Sequence, residues 1–92
     1  MDDGRGLKHI KEREMTTKAY IEIKIGPIPE GWVAMNSDHG VGVCQPPPLE
    51  RKEIIILNDG RFFAWGTYIT QWKRPHKVFS TFASALQWAE NH

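Results

Sequence analysis

The sequence has few of the features that identify a membrane protein or a disulfide-stabilised secreted protein. It contains one cysteine, Cys44, among 92 residues, so no intramolecular disulfide can form and a reducing compartment is expected. No apolar run reaches the roughly 18 residues of a membrane span, and no charged segment followed by an apolar one resembles a signal peptide. We therefore expect a cytoplasmic protein without membrane contact.

Catalytic motifs are also missing, because paired carboxylates, a phosphate-binding glycine loop and a G-x-S-x-G sequence do not occur. Asp38, His39 and Cys44 lie close together in the sequence. A glycine-rich loop followed by prolines offers such a cysteine neither a positioned base nor a shielded pocket, so we interpret them as an ordinary loop. His39 and Cys44 are two potential zinc ligands where a structural site takes four. We expect no enzymatic activity, no catalytic residue, no metal and no cofactor.

The length and composition indicate one globular domain, since 40% of the residues are hydrophobic and 25% are charged. Residues 1–14 are polar and nearly devoid of large apolar side chains, which predicts a disordered tail. Met15 reads like an alternative translation start. We expect residues 15–92 to form the domain.

The first half of this domain contains several strand signals. Residues 17–25 alternate apolar and polar side chains, which predicts a half-buried strand. The prolines and glycines of residues 26–31 break it. A second, short strand is predicted at residues 32–35 and a few strand residues at 40–44, before a polyproline-type spacer at 45–48.

The second half predicts a sheet covered by a helix. The apolar run of residues 53–57 favours a central strand, and Asn58-Asp59-Gly60 is typical of the tight turn after it. A long strand over residues 61–72 follows and is ended by residues 73–76, because Pro75 lacks a donor.

Ser80 is the predicted N-cap of the C-terminal helix. Its apolar stripe consists of Phe82, Ala85, Leu86 and Ala89, at helical spacing.

The predicted long strand has two apolar faces. Phe63, Trp65 and Ile69 point one way, and we expect them to pack against Phe82, Leu86 and Ala89 of the helix. Phe62, Tyr68 and Trp72 point the other way. Because one helix covers one face, the second face is expected to meet the N-terminal strands, a second copy of the chain in a homodimer, or a ligand.

Positive charge is concentrated near this second face, since residues 51–77 hold six Lys or Arg against two acidic residues. A solvated hairpin guarded by charges is one interpretation. The other is a surface on which cations contact phosphates and aromatic rings contact bases or sugars. The candidate binding residues are Arg61, Tyr68, Trp72, Lys73, Arg74 and Lys77.

The segments GRFFAWGTYI, KRPHKVFS and TFASALQWAE resemble the three-stranded-sheet-plus-helix DNA-binding modules of the integrase arm-binding domain and of the AP2 group. In those families the sheet enters the major groove. The resemblance implies contacts by Arg61, Tyr68, Trp72, Lys73 and Arg74, and packing by Phe79, Phe82, Leu86 and Trp88.

We therefore expect an α+β fold, with an antiparallel sheet of four to five strands and a C-terminal helix packed on one face. The expected function is that of a small non-catalytic binding module that binds nucleic acid, DNA in particular, through the exposed face of residues 61–74. The alternative is a phage or mobile-element type inhibitor or adaptor that acts on a host protein complex.

Overall fold

The computed structural model describes residues 17–46 and 52–92. The predicted disordered tail at residues 1–14, the start at Met15 and residues 47–48 of the proline-rich spacer lie outside the described residues. No helix within these two ranges is long and apolar enough to cross a membrane.

The described chain forms an antiparallel five-stranded sheet and two helices, so the predicted α+β class is confirmed. The strands follow one another in the sheet in the order in which they occur in the sequence. In chain order the elements are α1 (residues 17–25), β1 (Val33–Ser37), β2 (Gly40–Cys44), β3 (Glu53–Ile56), β4 (Phe62–Trp65), β5 (His76–Phe79) and α2 (Phe82–Asn91).

The prediction of a strand at residues 17–25 is wrong, because this segment is helix α1. Ile21 and Ile25 are four positions apart, so they satisfy helical spacing as well as alternation. Ile21 is fully buried and Ile25 packs against the core, whereas Ile23 is exposed. The helix ends at Gly26, whose positive φ of 85° and N–H to Glu22 hydrogen bond are typical of a glycine C-cap.

The predictions around β1, β2 and β3 are confirmed in position. Short strands occur after Trp32 and at Gly40–Cys44, and all four residues of β3 are buried at the centre of the sheet. The turn predicted at residues 58–60 joins β3 to β4. Gly60 has φ 89° there, and its N–H donates to the carbonyl of Leu57.

The predicted long strand is wrong, because β4 ends at Trp65. The chain leaves the sheet at Gly66, makes a loop over residues 66–75, and returns as β5 from His76. A Cβ at Gly66 would lie 3.0 Å from the carbonyl oxygen of His92. The N–H of Thr67 donates to that same oxygen. Close packing against the C-terminus therefore diverts the chain where alternation alone predicted a continuing strand.

The prediction of which β4 residues face the helix is also wrong. Phe62 and Ala64 are buried toward α2, and the Phe62 ring meets Phe82 edge to face with 5.9 Å between centroids. Phe63 and Trp65 lie on the opposite face, and Ile69 is exposed in the loop. Alternation shows which residues share a face, but not which of the two faces receives the helix.

The C-terminal helix packs as predicted but begins differently. Ala85 and Ala89 are fully buried, and Phe82 and Leu86 pack beside them. The N-cap is Thr81 instead of the predicted Ser80. The Thr81 hydroxyl accepts from the N–H of Ser84 at 3.2 Å, which places it three residues before its donor, as helix caps require.

Both helices pack on the same side of the sheet. Ile21 of α1 belongs to the buried cluster that also contains Ala85 and Ala89 of α2. The sheet contributes alternate residues to this cluster: Val43, Ile54, Ile56, Phe62 and Ala64. One of the sequence hypotheses required N-terminal strands to cover the second face. Residues 17–25 are instead a helix on the other face, so they do not cover it.

Candidate functional site

The sheet face opposite the helices, called the open face below, is the candidate site. No described helix or strand lies across it, apart from the loop of residues 66–75 at one side. The strand register places the following residues on the open face: Met35, Cys44, Glu53, Ile55, Phe63, Trp65, His76 and Val78.

Three rings on β4 and β5 form an aromatic platform on the open face. Phe63 and His76 are stacked, with an angle of 9° between their planes and 5.6 Å between their centroids. Trp65 lies 5.0 Å from His76 and 4.9 Å from Phe63. Since His76 pairs with Trp65 across the two strands, the register itself brings these rings together.

The loop of residues 66–75 forms one wall beside the platform. Backbone hydrogen bonds between Thr70 and Lys73 close its tip, and the N–H of Trp72 donates to the Thr70 hydroxyl. Tyr68 and Trp72 project from the loop, and the Trp72 side chain is 87% exposed. An indole left in water to this extent is a large apolar surface with no role in the core.

Arg74 joins the loop to the platform. Its guanidinium carbon lies 5.1 Å from the centre of the Trp65 ring and 4.9 Å from that of Tyr68, which is within cation–π range of both. Its Nε donates to the carbonyl of Gly66 at 2.7 Å. The structure thus holds a positive charge in place between two aromatic rings.

A groove of about 680 Å³ runs between this loop and the β1–β2 turn. His39, Ile55 and Leu57 also line it. The described residues that line it include one arginine and two histidines but no carboxylate. The groove therefore combines aromatic surfaces with neutral or positive polar groups.

A smaller side pocket of about 260 Å³ adjoins the groove at His39, which lines both. Glu53 lies in this pocket, and its side chain is only 7% exposed. His39 Nδ1 is 3.0 Å from Glu53 Oε1, although the residues are fourteen positions apart in the sequence. A carboxylate can only accept, so Nδ1 is the donor in this contact whenever Glu53 is ionised.

Cys44 also lines the side pocket, together with His39 and Asp38. These three residues were interpreted from the sequence as an ordinary loop, whereas Cys44 belongs to β2 and His39 is held by a buried carboxylate. The described residues include no group of three or more histidine, cysteine or acidic side chains that could hold a metal ion.

The six candidate binding residues are divided by the structure. Tyr68, Trp72 and Arg74 come together at the groove. Lys73 lies at the tip of the loop and is not among the residues that line the groove. Lys77 pairs with Ala64 and its Nζ lies 5.6 Å from the Phe79 ring, which puts it on the helix side of the sheet.

Arg61 lies at the β3–β4 turn and forms an ion pair with Asp59. Its backbone N–H donates to Asp59 Oδ1 at 3.0 Å, and its Nε donates to Oδ2 at 2.7 Å. These two hydrogen bonds, the backbone one foremost, lower the pKa of the Asp59 carboxyl below its ordinary value. Arg61 thereby stabilises the turn and lies outside the groove lining.

Sequence reasoning missed the other residues of the site. Phe63 and Trp65 were assigned to the core because the two faces of β4 were exchanged. Glu53 was not proposed, and His39 was considered only beside Cys44 as a catalytic or zinc-binding residue. The period-two pattern of β3 and β4 does place Glu53 opposite Trp65 once the strand pairing is known.

The fold and site define a small α+β domain with an aromatic groove on an open sheet face. Comparison with protein-family models, curated proteins and solved structures found no match. The resemblance to the integrase and AP2 modules therefore stays a prediction.

Proposed function

We propose that this protein is a small non-catalytic binding module that binds single-stranded nucleic acid in the groove of the open face. The observation that carries the proposal is the combination of aromatic platform, projecting Trp72 and held Arg74 in a groove whose described lining has no carboxylate. Proteins that bind single strands use stacking surfaces for bases beside cations for phosphates.

The dimensions of the groove support this class of ligand. Its volume of about 680 Å³ is within the range of about 300–1,000 Å³ that pockets for small organic groups occupy. Trp72, the platform rings and Arg74 all line this one groove, so a base can stack on a ring there while Arg74 contacts a phosphate. The exposed Trp72 then has a physical role, because stacking removes its ring from water.

The distribution of cations favours a single strand over a duplex. A protein that lies on double-stranded DNA contacts a series of phosphates with cations on one surface. Here Lys77 lies on the helix side and Arg61 is engaged with Asp59 at a turn. Arg74 is the arginine that lines the groove, which suits a short stretch of strand held mainly by stacking.

A protein partner is the second candidate function, as an inhibitor or adaptor of phage or mobile-element type. The observation in its favour is the exposed pair Ile69 and Trp72, 64% and 87% exposed, on one loop. Tryptophan is enriched among the residues that dominate protein interfaces. In this case Trp72 would insert into a pocket of the partner.

Fluorescence anisotropy with labelled eight-nucleotide RNA and DNA, and with the matching duplex, tests the proposal. We expect the single strands to bind more tightly than the duplex at near-physiological ionic strength, with affinity that falls as salt rises. A dissociation constant above the millimolar range for every polymer would overturn nucleic-acid binding. Cross-linking from positions next to Trp72 and Ile69 would then identify a protein partner.

A further inference from the structure

The groove and its side pocket carry opposite electrostatic character. The groove holds Arg74 and is lined by no described carboxylate, whereas the side pocket contains Asp38 and Glu53. His39 lies at the junction of the two. A ligand that occupies both needs an anionic or aromatic part in the groove and hydrogen-bond donors in the side pocket.

Glu53 is the group in the side pocket whose chemistry says most about a ligand. Its side chain is 7% exposed and hydrogen-bonded to His39. Taking a carboxylate out of water is costly, and replacing a buried ionic group by an apolar one is often neutral or stabilising. Stability of the sheet therefore gives no reason for a carboxylate at this position. A ligand that donates hydrogen bonds to it does.

The strand register places Glu53 beside the aromatic platform. Glu53 pairs directly with Trp65, and such cross-strand neighbours on one face have Cβ atoms roughly 5 Å apart. A base that lies along the floor of the groove next to Trp65 therefore directs one edge toward the side pocket. That edge meets a group that accepts hydrogen bonds when ionised.

Guanine is the base whose edge fits a carboxylate. Its Watson–Crick edge presents two adjacent donors, the N1–H and the N2 amino group, which two carboxylate oxygens can accept together. Adenine, cytosine and uracil each place an acceptor next to their donor on that edge, and this acceptor would face the carboxylate. A buried carboxylate consequently rejects them as well as accepting guanine.

We propose that Glu53, held by His39 beside Trp65, recognises a guanine base and makes the groove guanine-selective. This inference rests on the proposed function, because the strand is what delivers the base to the groove. His39 is a positioning residue: its Nδ1 lies 3.0 Å from the carboxylate, and the residue lines both the groove and the side pocket. The free nucleotide GMP carries the same guanine base, so the base can come either from a strand or from GMP.

The test uses the wild-type chain of residues 1–92 and five RNA pentamers, UUGUU and the same strand with inosine, adenine, cytosine or uracil at the centre. We expect UUGUU to bind at least about tenfold more tightly than the last three, as one bidentate base contact provides. Inosine lacks the N2 amino group and should lose most of the preference. Because the ligand is altered, folding of a variant plays no part in this result.

Glu53→Gln then tests the residue, with Glu90→Gln on the exposed surface of α2 as the matched control and thermal melting as the check on folding. We expect Glu53→Gln to lose the guanine preference and Glu90→Gln to keep it. Equal binding of all five pentamers, or a preference retained by folded Glu53→Gln, would overturn the inference and leave strand binding intact. GMP binding without pentamer binding would support the guanine site and overturn the proposed function; no binding of either would overturn both.

Discussion

The rings of Phe62 and Phe82 meet edge to face, with 5.9 Å between their centroids, and this contact ties the sheet to the first turn of α2. Edge-to-face pairs add about 0.5–1.5 kcal/mol to the stabilisation from burial. Phe62 is buried, whereas its neighbour Phe63 is half-buried on the open face. Two adjacent phenylalanines therefore serve different parts of the molecule.

This difference gives a prediction about stability. Phe62→Ala should lower the free energy of unfolding by about 3–5 kcal/mol, because it leaves a cavity between sheet and helix. Phe63→Ala should cost clearly less, since the ring is partly in contact with solvent. Urea denaturation of the two variants measures the contrast. Equal losses, or a larger loss for Phe63→Ala, would show that the faces are assigned wrongly.

Replacing Trp72 should weaken binding without lowering stability. Because its side chain is 87% exposed, Trp72→Ala should change the free energy of unfolding by no more than about 0.5 kcal/mol. If the ring stacks on a base, the same change should weaken binding of a single strand by about 1–3 kcal/mol. Anisotropy and thermal melting measure the two effects.

The control for Trp72 is Ile69→Ala. Ile69 is an exposed apolar residue of the same loop, but it does not belong to the groove lining. It should leave strand affinity unchanged. Equal weakening by both substitutions would indicate that the loop acts as a general apolar surface, as in the protein-partner hypothesis.

Arg74 and Lys77 should differ in their effect on salt dependence. Arg74 lies in the groove, and Lys77 lies on the helix side of the sheet. Arg74→Gln should flatten the slope of log affinity against log salt by about 0.7 for one lost phosphate contact on a single strand. Lys77→Gln should leave the slope as it is.

Arg74→Lys refines this measurement. It keeps the charge but loses the planar guanidinium that lies between Trp65 and Tyr68. The salt slope should survive while the affinity falls. A slope that changes with Lys77 and not with Arg74 would place the strand on the other side of the sheet.

Asp59 should make the stability of the β3–β4 turn depend on acid. Hydrogen bonds from Arg61 hold the pKa of the Asp59 carboxyl below its ordinary value of 3.8. The contribution of the ionised form is therefore present above that ordinary value and is lost as the pH falls through the lower, folded-state pKa. The wild type should have a higher melting temperature than Asp59→Asn at neutral pH, and this difference in melting temperature should disappear in strong acid.

Carbon-detected NMR titration of the Asp59 carboxyl is the direct measurement. A midpoint at or above 3.8 would contradict the hydrogen bonds of the turn. Raising the salt concentration should shrink the melting difference, because the ion pair with Arg61 is exposed to solvent.

The sequence predicted the elements whose pattern has one solution. The run Glu53–Ile56 is too short for a helix and apolar after its first residue, which favours a buried strand. The stripe of Phe82, Ala85, Leu86 and Ala89 has intervals of three, one and three residues, which no strand shares. The turn at Gly60 needed only local chemistry. These features follow from a few neighbouring residues.

The predictions failed where the sequence pattern fits two structures, or where contacts between distant parts of the chain determine the structure. Ile21 and Ile25 satisfy both periods, and tertiary packing selects the helix. Gly66 ends β4 because the carbonyl of His92 lies against it, 26 positions later in the sequence. The contact between His39 and Glu53 likewise requires the paired strands. The site depends on these long-range contacts, so less of it could be predicted than of the fold.

The division of each strand between its two faces has a consequence for how this protein can change during evolution. Residues that stabilise the fold, such as Phe62 and Ala64, alternate with residues that line the groove, such as Phe63 and Trp65. Mutations on the open face therefore need little compensation in the core. New ligand preferences can be acquired one substitution at a time, and descendants of one ancestor could diverge in what they bind while their folded scaffold stays the same.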